Sequence, residues 1–126
     1  MQKIDTSDAP KAIGPYSQAT IHNGFLFVSG QLPLDPVTGS ISGSNSAEQA
    51  RQCLANMRAI IEAAGAAMTD VVKTTVLLTD LSEFAAVNDV YAGYFSDPFP
   101  ARACYQVAAL PKGALVEIEA VVALKP

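Results

Sequence analysis

Residues 46–79, SAEQARQCLANMRAIIEAAGAAMTDVVKTTVLLT, decide the fold of this chain because they join a helix to a strand. In the first part, apolar residues recur at steps of three and four, which predicts an amphipathic helix. Ser46 and Gln49 form a capping-box pattern at its start, and Gly65 is a natural stop. Residues 71–79 are rich in Val and Thr and predict a strand. A helix that leads into a strand points to a sheet with helices packed on it.

The segments on either side complete the order of elements. Residues 1–16 read as an irregular lead-in, and Asn23-Gly24 is a strong hairpin signal. The predicted strands are residues 17–21, 25–29, 71–79, 102–107 and 114–124. The predicted helices are residues 46–64 and 82–95, and Asp80 or Ser82 is the expected N-cap of the second. The turn-rich connection 34–44 has room for a further short strand. Strands joined across a helix run parallel and hairpin strands antiparallel. The expected fold class is therefore α+β, a mixed sheet with two helices packed on one face.

The composition indicates a second buried surface. The chain has 126 residues, which fits one domain spanning residues 1–126. Charged residues make up 16% of the chain and hydrophobic residues 50%, against about 25% charged in an ordinary soluble domain. Because two helices cover only one face of the sheet, we expect the other face to meet another copy of the chain. The alternative is a compact monomer with many surface alanines.

Charge, cysteines and the lone histidine exclude several classes. The net charge of −4 and the lack of a Lys/Arg run argue against nucleic-acid binding. No secretory signal and no membrane-spanning stretch is visible, so a cytoplasmic protein with reduced thiols is expected. Cys53 and Cys104 lie 51 positions apart with no CxxC pattern, which argues against a zinc site. Cys53 is expected in the core, and His22 is expected to be an exposed turn residue.

Arg102 is the most informative single residue. It is the only charged residue between Pro98 and Pro111, in a segment that reads as a strand. A buried, unpaired charge costs several kcal/mol, so this guanidinium needs a partner. The partner is either an acid of the chain, with Glu117 and Glu119 nearby in sequence, or the carboxylate of a ligand.

Strand alternation suggests how such a site is arranged. Arg102 and Cys104 share one face of their strand with Gln106, and Glu117 and Glu119 share the outward face of the last strand. If these two strands pair, the cation, the thiol and the carboxylates line one open face. Arginine suits bidentate binding of a carboxylate, and a glutamate can activate water, which together fit hydrolysis of a small acid. The alternative is an internal Arg102–Glu117 or Arg102–Glu119 pair that fixes strand register or a subunit contact.

Three motifs spread along the chain resemble one known family. They are IGPYSQA at residues 13–19, VSGQ at 28–31, and a C-terminal signature of PARAC at 100–104, Leu110 and VEI at 116–118. Together they resemble the Rid family of reactive intermediate deaminases (YjgF-type). Within that family the chain is most similar to the 2-iminobutanoate/2-iminopropanoate deaminases, because both Arg102 and Glu117 are present. Tyr105 departs from the smaller residue common in the family, but alternation turns it away from Arg102.

The resemblance implies a fold, an assembly and an activity. The fold would be chorismate-mutase-like, and the assembly a homotrimer whose sheets face inward as a barrel, with sites in clefts between adjacent subunits. Each site would hydrolyse a 2-imino acid, in equilibrium with its enamine, to a 2-keto acid and ammonia, without a cofactor or a metal. Arg102 would bind the substrate carboxylate and Glu117 would position the attacking water. The residues implied to complete the pocket are Tyr16, Ser29, Gly30, Asn88 and Cys104.

Two other functions remain open at this stage. One is a non-catalytic, regulatory protein that binds small carboxylates through the same arginine. The other is an endoribonuclease, a role attached to some members of the family, against which the acidic composition counts.

Overall fold

Six strands and two helices form the structure, a computed structural model that describes residues 1–126. The elements are β1 (Gln2–Ile4), β2 (Ala19–His22), β3 (Phe25–Gln31), α1 (Ser46–Ala63), β4 (Val71–Leu78), α2 (Phe84–Tyr94), β5 (Ala101–Gln106) and β6 (Val116–Ala123). Both helices lie on one face of a mixed sheet, so the predicted α+β class is confirmed. Parallel pairing across α2 and the antiparallel hairpin at Asn23-Gly24 are confirmed as well.

The position of β6 differs from the expected one. The sheet order is β1-β2-β3-β6-β4-β5, so β6 lies between β3 and β4, antiparallel to both, and β5 is the edge strand. β5 and β6 therefore do not pair, so the condition for a shared open face is not met. The inward residues of β6 are almost completely buried, which suits a central strand, whereas no residue of β5 is fully buried, which suits an edge. The buried residues of β6 are Val116, Ile118, Ala120 and Val122.

The lead-in contains a short strand that the sequence pattern did not indicate. β1 pairs antiparallel with β2, and the chain that follows is held by the buried side chain of Gln18. The Gln18 Nε2 donates to the carbonyls of Thr6 (3.0 Å) and Pro10 (2.8 Å), and its Oε1 accepts from the Thr6 amide at 2.8 Å. Residues 1–16 are therefore fixed to the domain by one side chain as well as by strand pairing.

The first helix begins one residue earlier than the capping-box pattern suggested. Asn45 is the N-cap, because its Oδ1 accepts from the amide of Glu48 at 2.9 Å. The Glu48 carboxylate accepts in turn from the amide of Ser44 at 2.7 Å. The expected role of Ser46 is therefore wrong, since Ser46 is already the first helical residue and is buried. Gly65, at φ 82°, follows the helix end as expected.

The second helix is preceded by a tight turn. Asp80 accepts from the amide of Ser82 at 2.9 Å and caps a 3₁₀ turn at Leu81–Glu83, which leads into α2. α2 buries Val87 and Tyr91 against the sheet. This packing places the first turns of α2 over the edge strand β5.

The opposite face of the sheet carries no helix and exposes aromatic side chains. Phe25 and Phe27 on β3 are 42% and 45% exposed, and Tyr105 on β5 is 56% exposed. Such a concentration of exposed rings on one face is typical of an interaction surface. Neither helix combines the length and the apolar character needed to cross a membrane.

Candidate functional site

Arg102 lies on the edge strand β5 and is held from the side of α2. Its Nη1 donates to the Oδ1 of Asn88 at 2.7 Å. Its Cζ lies 4.8 Å from the ring centroid of Tyr91 and 5.3 Å from that of Phe84. These distances are within the range of cation–π contacts. The side chain is exposed, so the guanidinium still has donors free for a ligand.

No acid of the chain pairs with Arg102. The structure contains one salt bridge, at 3.8 Å between Lys125 Nζ and Asp70 Oδ1. A pair within one chain between Arg102 and Glu117 or Glu119, which would fix strand register, is therefore wrong. The cation is supported only by a neutral amide and two aromatic rings.

Arg102 and Glu117 lie on opposite faces of the sheet. β4 separates their strands: Arg102 is aligned with Thr74, and Glu117 is aligned with Leu77. Thr74 is buried on the helix side, and Leu77, three residues on, points to the other side. The two groups therefore do not share the open face, since that arrangement required direct pairing of β5 with β6.

A cavity of about 430 Å³ lies beside the guanidinium. Its walls are mostly apolar, and Arg102 supplies the only charge. The lining residues are Asn88, Tyr91, Ala92, Phe99, Pro100 and Arg102. A small carboxylic acid with an apolar side chain fits this combination of one cation and an apolar lining.

Cys104 lies two residues from Arg102 on the same face of β5. Burial raises the pKa of its thiol, and the positive charge of Arg102 offsets this only partly. The thiol is therefore protonated at neutral pH, which does not favour a thiolate nucleophile. We call Asn88, Arg102 and Cys104 the arginine half-site.

Glu117 lies on the open face, directly over Gly30. A Cβ at position 30 would lie 2.9 Å from the Cδ of Glu117 and closer still to its Oε2, so only glycine leaves room for this carboxylate. The pairing of β3 with β6 shifts between Val28 and Gln31, which indicates a bulge at this point. The bulge and the missing side chain together form the seat of the carboxylate.

Tyr16 and Ser29 lie close to Gly30. The Ser29 hydroxyl donates to the carbonyl of Ser17, and the Ser29 amide donates to the carbonyl of Gln18 at 3.0 Å. Tyr16 is 52% exposed and lines a cavity of about 50 Å³ together with Gly30. We call Tyr16, Ser29, Gly30 and Glu117 the glutamate half-site.

The electrostatics of Glu117 complement those of Arg102. Partial burial raises the pKa of the Glu117 carboxyl, and the negative charge of Glu119 raises it further. No cation of the same chain forms an ion pair with it. Each half-site therefore contains one charge without an internal counter-charge, and the two charges are of opposite sign.

The structure groups all seven expected site residues, but in two sets instead of one. It also adds Phe84 and Tyr91, which are not among the expected site residues. Phe84, Asn88 and Tyr91 are spaced four and three residues apart, so they lie on one side of the helix. That spacing was the available signal for a role beside Arg102. No group of three His, Cys, Asp or Glu side chains is arranged to hold a metal ion.

Comparisons with known proteins agree in family. The chain matches the family described as Endoribonuclease L-PSP over residues 6–124. It is 61% identical over 124 residues to the RutC family protein y4sK of Sinorhizobium fredii, covering 98% of each chain. It is 54% identical over 118 residues to the human 2-iminobutanoate/2-iminopropanoate deaminase, covering 94% of this chain and 86% of the human protein.

A solved structure agrees in fold as well as in sequence. Escherichia coli TdcF with bound serine superposes with a TM-score of 0.93 at 43% identity, covering 99% of this chain and 100% of TdcF. A match across nearly the whole chain, with close relatives and a shared fold, settles the family: the chain belongs to the Rid (YjgF-type) family.

Proposed function

We propose that the protein hydrolyses 2-imino acids such as 2-iminobutanoate and 2-iminopropanoate to 2-keto acids and ammonia. The observation that carries the proposal is the state of Arg102. Its guanidinium is oriented by Asn88 but not neutralised, and it borders an apolar cavity. The name of the human relative and the serine bound to TdcF, itself a small carboxylate, support a substrate of this class.

The complete site is proposed to form between subunits of a homotrimer. Within one chain the arginine and glutamate half-sites lie on opposite faces of the sheet, so neither can reach the other's ligand. A neighbouring subunit seated on the open face would bring its own arginine half-site to Glu117. The exposed rings of Phe25, Phe27 and Tyr105 support burial of that face in an assembly.

The proposed chemistry uses the electrophilic carbon of the substrate. Arg102 binds the substrate carboxylate through paired hydrogen bonds and neutralises the charge that opposes attack on C2. Water adds to the C=N carbon while one of its protons passes to Glu117 of the neighbouring subunit, which delivers a proton to the imine nitrogen. Glu117 then transfers the hydroxyl proton of the resulting carbinolamine to its amino group. The C=O bond forms as the C–N bond breaks, so ammonia leaves and the 2-keto acid remains. An enamine enters the same route after protonation at C3.

Glu117 suits a role in proton transfer. Burial raises its pKa, so its carboxylate is a stronger base than a fully solvated glutamate. The seat over Gly30 restricts where the carboxylate can lie, which fixes the position of a water bound to it. No covalent enzyme intermediate is needed, and Cys104, a protonated thiol, serves as part of the pocket wall.

Two other readings make different predictions. A non-catalytic carboxylate binder would use Arg102 in the same way but would not accelerate hydrolysis. An endoribonuclease would need to attract a polyanion, and the net charge of −4 with no basic stripe fits that poorly.

The experiment couples this protein to a threonine dehydratase, which releases 2-iminobutanoate, with semicarbazide present as a competing trap for the imine. We expect faster formation of 2-ketobutyrate and less trapped imine. An unchanged rate of 2-ketobutyrate formation together with tight binding of 2-ketobutyrate would contradict the deaminase and favour the non-catalytic carboxylate binder. Cleavage of an RNA oligonucleotide, with no effect on imine trapping, would favour the ribonuclease.

Arg102→Ala gives the residue-level test. We expect a loss of about 10²- to 10⁴-fold in kcat/KM, since two charge-assisted hydrogen bonds are removed. Arg58→Ala is the matched control, because Arg58 also lies over a ring, 5.1 Å from the centroid of Tyr94, but away from the cavity. Equal effects of the two substitutions, or unfolding by Arg102→Ala alone, would make Arg102 a structural residue.

A further inference from the structure

The support of Arg102 is unusual for a residue that binds an anion. Long charged side chains are commonly held in place by an acid, which also neutralises them. Here the guanidinium lies near two rings, with centroid distances of 4.8 Å to Tyr91 and 5.3 Å to Phe84, and no acid is within ion-pair distance. A ring attracts a cation through its quadrupole without carrying a net charge.

We propose that Phe84 and Tyr91 are positioning residues that fix the Arg102 guanidinium while leaving its charge available to the substrate carboxylate. The inference rests on the proposed function of Arg102 as a carboxylate binder. Immobilising a flexible side chain before binding removes part of the entropic cost of binding. Rings achieve this without the competing anion that a carboxylate support would introduce.

Tyr91 is itself anchored from below. Its hydroxyl shares a 2.7 Å hydrogen bond with the Oγ1 of Thr74, which is 1% exposed. Thr74 is aligned with Arg102 across the β4–β5 pair, so the ring spans the space between the buried strand and the cation. Phe95 packs on the same ring at a centroid distance of 4.6 Å. The ring under the guanidinium is therefore fixed on several sides.

Phe84 supplies the second, more accessible ring. It is 37% exposed although it belongs to the apolar stripe of α2, which a core role does not explain. Its position one helical turn before Asn88 places it beside the guanidinium together with the amide oxygen. Because the side chain is largely outside the core, it can be modified with little risk to folding.

The test replaces Phe84 with phenylalanines that carry one, two and three fluorine atoms, which weaken the quadrupole with little change in shape. We expect the dissociation constant for 2-ketobutyrate, measured by calorimetry, to rise stepwise by about 2- to 5-fold in total. KM for the imine should rise in the same order while kcat changes little, as for loss of uniform binding. Phe84→Leu should weaken binding at least as much, and Phe84→Tyr should restore it.

Tyr94 provides a matched control, since the Cζ of Arg58 lies 5.1 Å from its ring centroid and the ring is outside the cavity. Tyrosines that carry one, two and three fluorine atoms at position 94 should leave the dissociation constant unchanged. A constant that is independent of fluorination at position 84, or that falls, would overturn the inference. The proposed function would survive that result if Arg102→Ala still abolished binding of 2-ketobutyrate. If neither fluorination at position 84 nor Arg102→Ala weakened binding, both the inference and the proposed function would be overturned.

Asn88→Asp tests the neutrality of the support. The substitution replaces the amide NH2 group by an oxygen and nearly preserves the shape of the side chain. It places a carboxylate where the Asn88 Oδ1 now accepts a hydrogen bond from Arg102 Nη1 at 2.7 Å. We expect binding of 2-ketobutyrate to weaken by about 10-fold or more, because the internal acid competes for the same cation. Unchanged binding would show that a neutral cradle is not required.

Discussion

The arginine half-site and the glutamate half-site contrast in every physical respect. Arg102 lies on an exposed edge strand under α2 and is held by a neutral amide and two rings. Glu117 lies on a central strand, on the helix-free face, where burial and a second acid disfavour its charge. Each half-site lacks a counter-charge, and the other half-site carries a charge of the opposite sign. A single sheet can thus carry the two parts of one site on its two faces, provided that another copy of the chain brings them together.

The contrast can be broken most directly with mixed oligomers. Arg102→Ala and Glu117→Gln subunits are each expected to be inactive alone. When they are unfolded and refolded together, random mixing in a cyclic trimer gives about one quarter of the sites both an intact Arg102 and an intact Glu117. We expect activity to return to about that fraction of the wild-type value. If the mixture stays inactive while light scattering shows trimers, both groups must act from one subunit.

The open face offers the next largest effect. Phe27→Glu places a charge among the exposed rings of β3, and burying it unpaired costs several kcal/mol. We expect light scattering to show monomers, with loss of activity and retention of the circular dichroism spectrum. Val37→Glu, at a residue that is 92% exposed outside the sheet, is the control and should change neither property. A Phe27→Glu protein that remains an active trimer would remove this face from the proposed contact.

Gly30 tests the seat of the carboxylate. Gly30→Ala puts a Cβ where Glu117 now lies, and the flexible end of Glu117 can move away at low cost to stability. We expect kcat to fall by about 10- to 100-fold, since a small displacement of a catalytic group is expensive, while the melting temperature changes little.

Gly93→Ala is the matched change, in α2 with nothing within 4 Å of the new Cβ. It should leave kcat unchanged and stabilise the helix by about 0.5–1 kcal/mol. Equal losses of activity in both variants would contradict a special role of Gly30.

Glu119 tests the electrostatics of the same half-site with the smallest effect. Its negative charge is the second cause of the raised pKa of Glu117, so Glu119→Gln should lower that pKa. The reaction is proposed to need the Glu117 carboxylate, so activity falls as the pH drops through this pKa. We expect the acid limb of the kcat/KM profile to move to lower pH. A limb that stays in place would assign it to another group.

The sequence predicted the helices and strands themselves better than it predicted which strands pair in the sheet. Alternation in β6 gave the correct inward residues because period two is a local property of a strand. The pairing partner of β6 is not local: it depends on which strand can be buried on both edges, and the apolar character of β6 favours the centre. β1 escaped notice because three residues, Gln2–Ile4, are too short to show a period.

The candidate site followed the same division. Charge and strand alternation pointed to Arg102 and Glu117, and the family resemblance added Gly30 and Asn88, but neither established the faces of the sheet on which they lie. The face of Arg102 depends on register across β4, which no single strand encodes. Phe84 and Tyr91 read as core residues because an apolar stripe does not distinguish a ring that packs on a methyl group from one that packs on a cation.

The clamp made by Gln18 has a consequence for how the N-terminal segment can vary. Its carboxamide hydrogen-bonds with main-chain atoms of Thr6, Ala9 and Pro10 and with none of their side chains. These hydrogen bonds therefore depend on the course of the main chain and not on the identity of the side chains. The exposed side chains of this segment can change while its course stays the same, but Ala9, which is 2% exposed, belongs to the core. Loss of the Gln18 amide would release the stretch that leads to Tyr16.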